Sequence, residues 1–176
     1  MKRVLFVLVI LLAFAGMVNS AEKKDTLPGK FQYANKEKGF EIVVPKDWEN
    51  GENYYGTVFI AISPLENKKD TFRENVNVVV EPFAEGAEGY YKANLVNMKK
   101  LLTDFKELKT EKLKINSKDA VSLIYSHRMG EVNIKVLVFF MVNGKRAYCL
   151  TCSADPASFD KYTKIFKEIA ETLTLK

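Results

Sequence analysis

The chain has 176 residues, with 27 Lys and Arg against 22 Asp and Glu, one histidine and two cysteines. That length carries one domain with a real core. The mild positive balance rests on scattered lysines with no dense basic block. It excludes a nucleic-acid footprint and predicts a solvated surface with a weak pull toward anionic partners.

At the N-terminus Lys2 and Arg3 precede an apolar run from Val4 to Val18, closed by Asn19-Ser20-Ala21. A basic start, a short apolar stretch and small residues at its end describe a secretory signal peptide. The run is shorter than the roughly 20 residues that cross a bilayer. No cysteine follows it, so no lipid anchor is expected. Residues 1–20 are therefore read as a signal peptide cleaved after Ser20, or second after Ala21, with an uncleaved membrane anchor as the alternative. Lys2 and Arg3 leave with it and no acidic residue does, so 27 basic residues become 25 against an unchanged 22. The expected location is extracytoplasmic: periplasm, cell envelope or secreted.

Residues 21–30 form a short polar linker containing Pro28-Gly29, and 31–176 read as a single domain. Strands are predicted where β-branched residues alternate and proline ends the run. These are 39–45, 57–63 and 76–80. The period then changes: Tyr91, Leu95, Met98, Leu102 and Phe105 are spaced for an amphipathic helix over about 86–106. Residues 108–115 alternate Lys with Leu and Ile, as in an edge strand protected by charge. Strands over 120–127 and 132–142 follow. Asn143-Gly144 predicts a hairpin with a type I′ turn, so 145–153 is the partner strand. A second helix follows, with Asp155 as N-cap, Pro156 at its first position and a stripe of Phe159, Tyr162, Phe166, Ile169 and Leu173. The sum is an α+β domain: an antiparallel β-sheet flanked by helices in an α/β/α sandwich.

Both cysteines fall on the strand over 145–153, as Cys149-Leu150-Thr151-Cys152. Side chains alternate along a strand, so the two thiols point to opposite faces, with Cα atoms about 10 Å apart at roughly 3.3 Å per residue. A disulfide needs about 7 Å or less. A redox pair at this spacing normally opens a helix, and a zinc site would need ligands beyond His127. With helices on both faces, Cys149 and Cys152 become two opposed core residues; a thiol- or metal-dependent site is the alternative.

Other chemistry is sparse. His127 has no obvious acidic or nucleophilic partner and reads as a surface residue near a strand end. No serine sits in a nucleophile elbow, and no glycine-rich phosphate loop appears. Glu81, Glu85 and Glu88 cluster in sequence but lack a cation-binding loop. Asn75 and Asn77 share one strand face, where they either line a groove or bond neighbouring backbone. No catalytic, cofactor-binding or metal residue is assigned, and no cofactor is expected; Cys149, Cys152, Asn75 and Asn77 are weak candidates.

GFEIVVPKDWE, KKDTFRENVNVVVE and NGKRAYCLTCSADPASFDKYTKIFKEIAETLTL together resemble the PsbP family, over 31–176. The family holds the extrinsic photosystem II subunit and many prokaryotic relatives. The resemblance implies an antiparallel sheet between helices, a fold shared with a yeast Ran-binding release factor and the envelope protein DcrB. It also implies a non-enzymatic role. The photosynthetic member acts through a long N-terminal extension. Only Ala21 to Lys30 stand in that place here, so the resemblance carries fold more firmly than activity. The expectation is an exported, non-catalytic domain that binds a protein partner or supports an envelope complex, with no nucleic-acid partner and with peripheral membrane association as a further expectation.

Overall fold

A computed structural model describes the protein over residues 29–176; the signal-peptide reading and the linker up to residue 28 lie outside the described residues. Five strands come first: β1 (Lys30–Asn35), β2 (Phe40–Pro45), β3 (Glu49–Glu52), β4 (Phe59–Ile62) and β5 (Asn75–Pro82). Helix α1 (Gly86–Leu101) follows, then β6 (Thr103–Ile115), β7 (Lys118–Met129), β8 (Val132–Asn143) and β9 (Arg146–Ala154). Helix α2 (Phe159–Thr172) and the short β10 (Thr174–Leu175) end the chain. Seven strands make one sheet in the order β3-β4-β5-β9-β8-β7-β6, and β1-β2-β10 make a second. Every pairing is antiparallel. The expected α+β class is the class observed, with the small sheet as an addition beside α2.

Three two-residue turns fold the β6–β9 meander. Asn116 and Ser117 both have positive φ between the paired Ile115 and Lys118, the requirement of a type I′ turn. The hairpin at Asn143-Gly144 is present but shifted by one residue: Asn143 pairs with Arg146, and Gly144-Lys145 is the loop. Gly144 has φ 62° and Lys145 is not in the left-handed region, so this turn is of the II′ kind rather than I′.

The large sheet divides two cores. On one face Val76, Val78, Leu137, Phe139, Leu150 and Cys152 pack with Phe159, Phe166 and Ile169 of α2 and Phe40, Ile42 and Val44 of β2. On the other, Val79, Val136, Val138, Phe140 and Cys149 pack with Tyr90 and Met98 of α1. Fully burying one such aromatic or branched side chain is worth about 1.5–3 kcal/mol. The two layers together therefore supply the main stabilising term.

The helices depart from the predicted bounds. α1 stops at Leu101, because Leu102 is extended and Asp104 takes φ 55° to open β6. Phe105 kept helical spacing for another reason: from β6 it still packs in the α1 layer, 5.3 Å from the Tyr125 ring. The buried stripe of α1 is Ala87, Tyr90, Asn94 and Met98, rotated from the predicted Tyr91 and Leu95, which are only partly buried. α2 begins at Phe159, not at Pro156. The Asp155 carboxylate instead accepts the Ala157 N–H (2.8 Å) in a turn ahead of the helix. Its stripe is as predicted.

Gly39 shows how the C-terminus is held. Its φ is 71°, and a Cβ there would meet the Lys176 carbonyl oxygen and Arg146 Nη1, each at 3.2 Å. Only glycine lets the two backbones approach so closely.

Candidate functional site

Cys149 and Cys152 are free and buried. Cys149 lies in the α1 core and Cys152 in the α2 core, so the sheet itself stands between the thiols. Burial pushes the Cys149 thiol up to about 12, against a weaker contact with Thr151 Oγ1 at 3.7 Å. Burial raises Cys152 well above the ordinary range too. Neither is poised as a thiolate.

Asn75 and Asn77 share the α1 face, opposite Ser153 and Thr151 of β9. Asn75 Nδ2 donates to the Arg73 carbonyl at 3.4 Å, while Asn77 Oδ1 has no partner. Both are buried, so they do not line an open groove. His127 corrects the sequence reading: it is only 4% exposed, on the same face, 5.7 Å from the Tyr125 ring. Glu81 and Glu88 of the acidic run lie apart. Glu81 is buried and accepts a hydrogen bond from Tyr90, while Glu88 pairs with Lys92 and Lys112 on the surface. Among the described residues no group of three His, Cys, Asp or Glu side chains could hold a metal ion.

An open concavity lies elsewhere, at the end of the large sheet where β5 begins and β9 ends. It is a cleft of about 600 Å³ between the 64–73 loop and the start of α2. Glu74 anchors it, 2% exposed. Its Oε1 accepts from Ser158 Oγ at 2.5 Å and its Oε2 from Ser63 Oγ at 3.2 Å. Three segments thus meet at one carboxylate. Asp70 shapes the loop by accepting the N–H groups of Phe72 (3.0 Å) and Glu66 (2.8 Å). Lys161 Nζ bonds Glu66 Oε1 at 2.6 Å and holds that carboxyl below its usual range.

The PsbP model matches residues 29–175. The chain belongs to the PsbP family. The structure of cyanobacterial PsbP from Synechocystis is 14% identical over 89% of this chain and 98% of its own, with a TM-score of 0.64. A Pseudomonas aeruginosa protein of unknown function, PA94, is 18% identical over 84% of this chain and 97% of its own, with a TM-score of 0.61. LpqN of Mycobacterium tuberculosis, involved in cell envelope biogenesis, is 12% identical over 84% of this chain and 90% of its own, with a TM-score of 0.66. At these identities the likeness is one of fold. No curated protein matches the sequence.

In this PsbP domain the cleft offers charge and hydrogen bonding. Ser63 and Ser158 both donate to the Glu74 carboxylate, and no histidine is among the residues lining the cleft. The cleft was missed in the sequence because Ser63, Glu74 and Ser158 come from three distant segments. The available signal was local: Ser63-Pro64 and Asp155-Pro156 each end a strand at a turn.

Proposed function

We propose that this PsbP-family chain is an exported, non-catalytic domain that binds a protein partner, with the cleft at the sheet end as its contact surface. One observation carries the reading: the cysteines and the histidine are withdrawn into packed layers, whereas the cleft at the sheet end is charged, open and built around Glu74. The involvement of LpqN, a protein of the same fold, in cell envelope biogenesis supports an extracytoplasmic role. The rival, a thiol- or metal-dependent activity at Cys149 and Cys152, needs thiolates that burial disfavours.

A photocrosslinking residue at Lys69 or Ala157, both on the cleft, should give an adduct of defined mass in the native envelope. The same residue at Lys114, on the far edge, should give none. Equal adducts from all three positions, or a turnover that disappears with a single side chain, would overturn the reading. Export is tested separately by sequencing the N-terminus of protein from its host: Ala21 or Glu22 is expected, and an intact Met1 contradicts it.

A further inference from the structure

Among the described residues three buried side-chain atoms have no hydrogen-bond partner: Asn77 Oδ1, Ser153 Oγ and His127 Nε2. All three lie on the α1 face of the large sheet. Asn77 and Ser153 alternate with Val76, Val78 and Cys152 of the α2 core, and His127 stands beside Tyr125 of the α1 core. Each such atom weakens the layer that hides it. The helices differ in the same sense. α2 buries Phe159, Tyr162, Phe166, Ile169 and Ala170; α1 buries only Ala87, Tyr90, Asn94 and Met98.

His127 is the chain's single histidine, and α1 packs on β7 and β8, the strands that hold and flank it. The groups around it are few. β7 contributes Tyr125, and across the ladder β8 places Ile134, Val132 and Val136. β6 contributes Phe105, Asp104 bonded to Arg128 at 2.7 Å, and Glu107 engaged by Tyr91 and Lys99. The last turn of α1 carries Lys99 and Lys100, both positive. Both carboxylates, Asp104 and Glu107, are engaged away from the ring. Burial holds its pKa below the ordinary histidine range, against a smaller opposing pull from the Arg128 backbone. A proton on Nε2 would therefore put an N–H and a charge where no acceptor waits.

We propose that α1 is an acid-released cover: protonation of His127 favours a form in which the C-terminal part of α1 lifts from β7 and β8 while the α2 layer stays closed. The irregular start of β6 can take up the movement, because Asp104 has φ 55° and the register shifts between Thr103 and Lys106. The direction follows from linkage. The closed form excludes a proton that the open form accepts, so closure is complete at neutral pH and weakens as pH falls below the ordinary histidine value.

The test is hydrogen exchange of the full chain from about pH 7.5 to about pH 4.5, corrected for intrinsic rates, together with the NMR titration of the one histidine. Amides of α1 should lose protection, approaching tenfold per pH unit for one linked proton, while those of α2 hold. His127→Gln should abolish the loss, and Asp104→Asn should keep it, which separates the imidazole from the neighbouring ion pair. His127→Leu repeats the first arm without a polar atom. Parallel loss of protection in both helices, an ordinary histidine titration with α1 unchanged, or a pH response that survives in His127→Gln overturns the proposal. Were neither variant to fold, the wild-type titration and the contrast between helices decide it.

Discussion

Replacing both cysteines by alanine tests the arrangement of the β9 thiols and the rival function at once. Cys149 and Cys152 are 2% and 0% exposed, in different cores. Each Cys→Ala change removes one methyl-sized atom from a packed site, at a cost of about 1 kcal/mol, with a little more at Cys149 for its Thr151 contact. Sites about 10 Å apart on opposite faces share no partner, so the costs should add to within about 0.5 kcal/mol. The double variant should then lose about 2 kcal/mol, which for a domain of this size lowers Tm by about 4–8 °C. Urea unfolding read through Trp48, the one tryptophan and 4% exposed, measures both single variants and the double variant. Partner crosslinking at the cleft should persist in all of them. A coupling above about 1 kcal/mol would mean that the thiols act as a pair. Loss of crosslinking at an unchanged Tm would make them functional; either result refutes the opposed-core account. Cys152→Asp gives the scale, since an unpaired buried carboxylate should prevent folding outright.

The two serines at the C-terminal end of β9 and before α2 should behave oppositely. Ser158→Ala removes a donor to buried Glu74 and should cost about 1.5–3 kcal/mol, whereas Ser153→Ala removes a hydroxyl with no partner and should be neutral or stabilising, both by chemical denaturation. Alkaline stability reports Cys149. Its folded pKa of about 12 exceeds the unfolded thiol value, so its contribution to stability is full below about pH 8.5 and falls by about 1.4 kcal/mol per pH unit above it, with Cys152, also raised by burial, adding a fall of its own. A denaturation series in Cys149→Ala should show a shallower fall, and an identical slope would place that ionisation elsewhere.

Much of the fold was legible because its signals are local. Alternation and proline stops gave β2, β4 and β5, and the turn at Asn143-Gly144 located β9 to within a residue. The strong stripe of α2 fixed its buried face. β3 was not legible, since Glu49-Asn50-Gly51-Glu52 has no apolar residue and exists by pairing with Phe59–Ile62. The α1 stripe was displaced because Tyr91, Leu95, Tyr90 and Asn94 offer two adjacent faces, and tertiary packing chose the one containing Asn94. The site was least legible. Nothing near His127 in sequence announces that it is buried on the α1 face of the sheet, and nothing near Glu74 announces Ser158.

The strand order has a consequence for assembly of the chain. β5 has β9 as its inner neighbour, so Asn75 must find Ser153 and Pro82 must find Arg146. Strands β6 to β9 reach their places through successive two-residue turns and can zip up by themselves. The first five strands cannot be completed in that way. Until the 146–154 segment exists, Asn-Val-Asn-Val-Val-Val of β5 presents an unpaired, uncharged, β-branched edge. Such a segment is slow to satisfy and prone to pair with another copy of itself. The interval between emergence of residue 80 and arrival of residue 150 is thus when the polypeptide is most exposed to self-association, and shielding β5 during that interval should raise the yield of folded protein more than any change to its finished core.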